Sequence, residues 1–383
     1  MPNDSRCYLE VIPSMIHQNG LKVHQFIGNT KLMSVLKGDA YGLGIQRCAL
    51  ALKDVTDWFA VATAEEALAI REVAVEKPIL VLGYVPSSQI QEMVRHQITL
   101  TVISVKDVER IQSALEKDER VQVHIAVDTG LTRIGLFSQT MTASELVEQA
   151  RIILKMDGID VTGIFTHFAV AGSSDVKDQN FTTSQYALFR EVVSLLEQEG
   201  YLLGIKHCCN SNAILENPDM YEDMVRCGKF LFGFGQSHDL DLLGCELAFN
   251  LQARVVRVAM STANTNIGYG RVYKTQRPSK IATISFGFGD GYRREMGENT
   301  PVLVNGNRAK IVGRVAMDYM MIDATEIPDI SAGDYVTLMG HNDSKVIMPN
   351  EVSHLVNAST NEIIGNLNKR VLRTYLDENG KEI

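Results

Sequence analysis

At 383 residues the chain is long for one domain and sized for about two, and with 45% hydrophobic and 22% charged residues it can bury a substantial core. A formal charge of -9, with no basic stripe to offset it, argues against nucleic acid as a main partner, since phosphate contacts need clustered cations. The opening MPNDSRCYLEVIPSM lacks a basic region followed by an apolar core, and no run approaches the ~18 apolar residues of a membrane span. The expectation is a cytoplasmic protein that handles small molecules. Its six cysteines are scattered without CxxC pairs and read as reduced thiols. The run HCC, His207 to Cys209, is not expected to hold a metal, because consecutive strand residues point to opposite faces.

In chain order, RCYLEVI at about 6–12 has strand alternation and could belong to either half of the molecule. Eight short apolar, β-branched strand candidates follow: KLMSVL (31–36), WFAVAT (58–63), PILVLG (78–83), ITLTVI (98–103), VQVHIAV (121–127), GIFTHF (163–168), GIKHCC (204–209) and MVRCGKFLFG (224–233). Helical patterns lie between them, including TAEEALAIREV, where Thr63 and Glu66 have capping-box spacing, and SVKDVERIQSALEK, opened by Ser104. This alternation predicts an α/β fold with a parallel (β/α)8 barrel (TIM barrel) over residues 1–238. Beyond about residue 239 strands succeed one another without intervening helices, apart from MPNEVSHLV, so residues 239–383 read as a mainly β domain. Within it VNGN at 304–307 marks a hairpin, because Asn-Gly accepts the positive φ angles of a tight turn.

In such a barrel, chemistry belongs where strands run out into loops. The stretch KLMSVLKGDAYGLG ends an apolar strand on Lys37, whose amine is costly to bury unless it has a task; the alternative is a strand leaving into solvent. At the same level come Asp128 and Arg133 in VDTGLTRIG, His167 in THF, Asn210 and Ser211 in NSNA, and Arg226 with Gly228. A lysine ringed by cations and small donors, with Ser211 and Gly228 after the seventh and eighth strands, suggests a phosphorylated carbonyl cofactor held as a Schiff base. Pyridoxal phosphate fits. Asp128, with Thr129 and Gly130, reads as a turn that aims Arg133. GFGDG at 287–291 lacks the strand-to-helix context of a dinucleotide site.

LKGDAYGLG, VDTGLTRIG, GIFTHFA, NSNAIL, MVRCGKFLFG, IGYG and PVLVNGNRAKIVGRVAMD, in this order, resemble the bacterial alanine racemases, which pair a barrel with a C-terminal β domain. The resemblance spans nearly the whole chain. It implies that Lys37 holds pyridoxal phosphate and moves protons, with Tyr269 as the opposite base. It further implies that Arg226 faces the pyridine nitrogen, His167 bonds to that arginine, and Arg133 lies near the phenolic oxygen. Tyr41, Ser211 and Gly228 match phosphate contacts, with Asn210 beside them, and Met317 and Asp318 match residues near the substrate carboxylate and the entrance. Met317 alone reads as core filler as well. In the family the tyrosine base comes from the partner subunit, which implies a head-to-tail homodimer with composite sites.

Several positions depart from the family pattern. Gly38 and Asp39 alter the lysine loop, Ala126 stands where many relatives have a carbamylated lysine that orients the arginine, and Cys227 replaces a proline. Phe288 stands where an entrance tyrosine is usual, and Lys369 where some relatives have a phosphate-contacting tyrosine. The leading expectation is interconversion of L- and D-alanine, supplying cell-wall precursors. The alternatives are a serine or broad-specificity racemase, a decarboxylase on the same fold, and, outside catalysis, a pyridoxal-phosphate carrier.

Overall fold

The computed structural model describes residues 4–377 and 380–383. Its strands, in chain order, are β1 (Cys7–Val11), β2 (Lys31–Val35), β3 (Trp58–Val61), β4 (Ile79–Val81), β5 (Thr99–Val102), β6 (Val121–Ala126), β7 (Ile159–Phe165), β8 (Ile205–His207) and β9 (Met224–Cys227). There follow β10 (Phe249–Ser261), β11 (Asn266–Ile267), β12 (Tyr273–Lys274), β13 (Ser279–Ile284), β14 (Pro301–Val304), β15 (Asn307–Val312), β16 (Met320–Asp323), β17 (Tyr335–Asn342), β18 (Lys345–Ile347) and β19 (Leu372–Tyr375). The chain divides into two compact units, one of Gly20–Ala40 and Cys48–Leu231, the other of Met1–Asn19, Tyr41–Arg47 and Phe232–Ile383.

In the first unit β2 to β9 form one parallel sheet in the order β8-β7-β6-β5-β4-β3-β2-β9. Its seam closes through the Asp223 and Arg226 amides, which donate to the carbonyls of Lys206 and Cys209 at 3.1 and 3.0 Å. The (β/α)8 barrel read from the alternating pattern is therefore present. Alternate strand residues point inward, so Met33 and Val35, Trp58 and Ala60, Leu80 and Met224 pack into one buried cluster. Helices between the strands begin where the caps are: the Thr63 side chain accepts from the Glu66 amide and Ser104 from the Asp107 amide. The strands are shorter than the apolar runs that announce them. The first ends at Val35 rather than at Lys37, and the eighth at Cys227, with a 3-10 turn over Lys229–Phe232.

In the second unit a nine-stranded sheet runs β18-β17-β14-β15-β16-β13-β10-β1-β19. The long β10 pairs with β1 and β17 along its first half and with β13 along its second, so β10, β17, β14, β15, β16 and β13 form a closed ring without free edges. The expected hairpin joins β14 to β15, with Asn305 and Gly306 at φ of 48° and 69°. The GFGDG run is structural. Asp290 is fully buried, accepts from the Gly287 amide at 3.0 Å, and forms ion pairs with Arg6 and Arg370.

Asp290→Ala would leave the Gly287 amide without its acceptor and take a buried carboxylate from Arg6 and Arg370, which keep the Ser285 carbonyl and Asp318. We expect a loss of about 3 kcal/mol, at the low end for broken buried pairs because both arginines reach solvent and can rehydrate. Equilibrium denaturation would show it as a lower urea midpoint, and an unchanged midpoint would refute the role.

Candidate active site

The residue after β2 and Leu36 is Lys37, and the chain then turns left-handed through four successive residues: Gly38, Asp39, Ala40 and Tyr41 have φ of 66°, 54°, 54° and 57°. For each of the three that carry a Cβ this costs ~1 kcal/mol or more, so the turn must be held by its surroundings. The Glu66 carboxylate holds it, with Oε1 accepting from the Gly38 and Asp39 amides at 2.6 and 3.1 Å and Oε2 from the Ala62 amide at 2.8 Å. The spacing of Thr63 and Glu66 therefore gives only half of a capping box. Thr63 caps the helix as expected, but the Glu66 side chain serves the lysine loop and the end of β3 instead of the cap amide.

Lys37 lines a cavity of about 280 Å³ at the barrel mouth together with Arg133, His167, Asp128, Ala126, Leu82 and Phe165, among others. Burial draws the amine below the usual lysine pKa, Arg133 and Arg226 push the same way, and Glu66 opposes them. Asp128 is the loop organiser that its turn context suggested. Its carboxylate accepts from the amides of Gly130, Thr132 and Arg133. The Arg133 side chain makes no hydrogen bond or ion pair with the described residues, so without a lysine at position 126 this arginine is fixed through its backbone and its guanidinium remains available at the cavity.

Arg226, on β9, is 3% exposed. Its Nη1 donates to Nδ1 and the carbonyl of His207 at 2.8 and 3.0 Å; its Nη2 reaches the carbonyls of Thr166 and Cys208, both at 2.8 Å, and His167 Nδ1 at 3.1 Å. Four of the five guanidinium N–H groups are thus used inside the protein, and Nε–H has no partner among the described residues. The histidine tautomers follow from these donors. His207 accepts at Nδ1, so its Nε2 carries the proton and donates to Nδ1 of His124 at 2.9 Å. His167 likewise accepts at Nδ1 and keeps Nε2–H. All three imidazoles are held neutral by burial and by the Arg226 charge, His124 with its pKa pushed down to about 3 and the other two also well below the usual value.

Downstream of β8, Asn210 caps the helix Ser211–Glu216 by accepting from the Asn212 and Ala213 amides, and the Gly228 amide donates to Ser211 Oγ at 2.9 Å. This brings two of the expected phosphate contacts within one hydrogen bond. The face alternation argued for HCC stops at His207, where the strand ends; Cys208 and Cys209 both direct their sulfurs at the Met220 carbonyl. In the second unit Tyr41 packs against the rings of Phe232 and Phe234. Tyr269 opens a 3-10 turn between glycines of positive φ and is 71% exposed. Met317, 55% exposed, is not core filler, and Asp318 pairs with Arg370 at 2.5 Å. Phe288 lies 39% exposed with the Arg294 guanidinium over its ring, and Lys369 is exposed.

These residues suit pyridoxal phosphate. A lysine amine with a lowered pKa is a competent nucleophile for an aldehyde, the buried Arg226 and available Arg133 favour an anionic guest, and the unused Arg226 Nε–H is a donor that can meet a ring nitrogen but cannot protonate it. Sequence reading missed Glu66, His207 and His124. Glu66 was masked by its plausible role as a cap, and the histidines by their place on apolar strands.

Because three imidazoles are neutral in the fold and become charged in the unfolded chain below their ordinary pKa of about 6.5, the unfolded state binds more protons there. Stability should fall as pH drops from about 7 through 6.5 to 5, with uptake of up to about three protons on unfolding. Urea midpoints across that interval test this, and a midpoint that holds steady or rises on acidification would refute it.

The family model for the alanine racemase N-terminal domain matches residues 13–236 and that for the alanine racemase C-terminal domain residues 248–375. Alanine racemase 2 of Caldanaerobacter subterraneus subsp. tengcongensis is 36% identical over 369 residues, covering 95% of this chain and 93% of the relative. Alanine racemase 1 of Oceanobacillus iheyensis is 38% identical over 351 residues, covering 91% and 92%. Among solved structures, alanine racemase from Bacillus anthracis with bound L-Ala-P superposes with a TM-score of 0.89 at 30% identity, covering 100% of this chain and 98% of that one. Alanine racemase of Clostridium difficile 630 gives 0.88 at 29% identity, covering 99% and 98%.

Proposed function

The chain belongs to the alanine racemase family, whose members are pyridoxal-phosphate-dependent amino-acid racemases, and from that premise we propose that it interconverts L- and D-alanine through Lys37 and Tyr269. The observation that carries the assignment of Lys37 is its place on a braced turn at the barrel mouth, lining the cavity with Arg133 and His167. The domain division proposed is 1–238 for the cofactor-binding barrel and 239–383 for the β domain, with the first strand joining the latter.

Pyridoxal phosphate, when bound, supplies an electron-withdrawing ring that makes the α-proton of an attached amino acid acidic. Lys37 holds the cofactor and moves the proton at its Nζ on one face of the α-carbon. A depressed amine pKa brings its base form closer to neutral pH. Tyr269 of the partner subunit serves the opposite face at its Oη, in a head-to-tail homodimer. Arg226 limits electron withdrawal, because a guanidinium that stays charged cannot give a proton to the ring nitrogen. Its pKa, drawn down by burial, is still about 10. Tyr41, Ser211 and Gly228, with Asn210 beside them, hold the phosphate; Arg133, Met317 and Asp318 meet the substrate side.

The proposed compartment is the cytoplasm. Among the described residues no helix is long and apolar enough to cross a membrane, and all six cysteines are buried free thiols, as a reducing environment requires. A small-molecule substrate, with neither nucleic acid nor membrane as partner, accords with the charge of -9.

Three measurements test the reading. Purified holoprotein given L-alanine, L-serine, L-arginine and L-lysine separately should racemise alanine fastest by chirally resolved product analysis; faster turnover of a larger substrate would make Ala126 and Phe288 the basis of a widened pocket. Tyr269→Phe should lower racemisation of at least one alanine enantiomer by 10²-fold or more, the lower range for a lost general acid–base, while the cofactor colour persists. Unchanged turnover in both directions would remove Tyr269 from the mechanism, and a fully active monomer would remove the composite site.

A further inference from the structure

We propose that Glu66 is a positioning residue for Lys37: its carboxylate fills the amide nest of the left-handed turn that follows the lysine and so sets where the amine can stand. The inference rests on the reading of Lys37 as the cofactor-bearing group and goes beyond it to the residue that aims that group.

Consecutive backbone N–H groups in a tight turn can face a common point, which makes a concavity for an anion. Here that anion is one of the chain's own carboxylates, reaching the turn from a different element. Glu66 lies in the helix Ala64–Glu72 after β3, 28 positions from Gly38 in sequence, yet one of its oxygens takes two amides of the lysine loop. Its other oxygen takes the Ala62 amide, which ties the loop to the end of β3. Among the groups that act on the Lys37 amine, Arg133 and Arg226 are cations and Glu66 is the one carboxylate. Glu66 therefore has two consequences for one lysine. It selects the backbone conformation that carries the amine, and it supplies the negative charge that favours the amine's protonated form. A capping glutamate would touch only its own helix terminus. This one leaves the Thr63 amide and serves another strand's loop.

Glu66→Gln can keep the carbonyl contacts to Gly38 and Asp39, but it turns a donor toward the Ala62 amide and removes the charge; Glu66→Ala removes everything. The control is Thr63→Ala, which removes the helix cap and leaves the carboxylate in place. In the full-length holoprotein we would record visible circular dichroism of the bound cofactor, kcat and KM separately, and thermal stability. The expected result is altered dichroism and a kcat reduced by on the order of tenfold to a hundredfold in the Glu66 variants, Gln less than Ala, with KM little changed, since small misplacement of a reacting group has effects of that size. Thr63→Ala should melt earlier with wild-type dichroism and kcat. Wild-type dichroism and kcat in Glu66→Ala, or in Glu66→Gln if the alanine variant does not fold, would overturn the inference, as would Thr63→Ala reproducing the Glu66 changes. A borohydride-reduced wild-type holoprotein labelled on a lysine other than Lys37 would overturn the reading of Lys37 itself, which keeps the two failures apart.

Discussion

A guanidinium buried without a carboxylate sets the electrostatics of the barrel mouth. Arg226 has no acidic partner among the described residues; its charge is met by the carbonyls of Thr166, His207 and Cys208 and by two imidazole nitrogens. Removing an ion from water costs several kcal/mol even after relaxation, so the strands that bring these acceptors together are under a strong demand for correct register. Neutral acceptors satisfy the hydrogen bonds but leave the positive charge in place. Burial first, and then that charge, lowers the pKa of Lys37, His167, His207 and His124, with Arg133 also acting on Lys37, and the charge makes the mouth receptive to an anion.

The same arrangement explains why the histidines are fixed. An acceptor for Arg226 must present a lone pair, which forces the proton of His207 onto Nε2 and toward His124, and that of His167 onto Nε2. Lys37 is steered by different means. Its backbone is strained at three residues with a Cβ, and such strain persists only where contacts over-determine it, as the Glu66 bonds to two consecutive amides do. Burial and neighbouring cations then tune the amine, so location and basicity are governed together.

Much of this was legible in the sequence because it rests on local pattern. The eight barrel strands are short β-branched runs, VNGN is a turn by its own conformational preferences, and Asp128 followed by Thr129 and Gly130 organises its loop through bonds no more than five residues away. What could not be read depends on partners distant in the chain. The left-handed turn over residues 38–41 has a local glycine in Gly38 and a local bond from the Ala40 amide to the Leu36 carbonyl, but the acceptor of its first two amides is a carboxylate 28 residues from Gly38. Glu66 looked like half of a capping box, and only the structure separates its amide, which the cap uses, from its carboxylate, which the lysine loop uses. His207 was set aside with Cys208 and Cys209 as an improbable ligand group, whereas its importance comes from Arg226, 19 residues on.

The proposal that Lys37 carries the cofactor at this mouth can be tested on the protein itself. Borohydride reduction of the holoprotein, followed by peptide mass mapping, tests it directly because reduction makes the lysine–cofactor link permanent. A single phosphopyridoxyl label on Lys37 is expected; a label on another lysine, or none in a preparation that holds the cofactor, would contradict the assignment of Lys37.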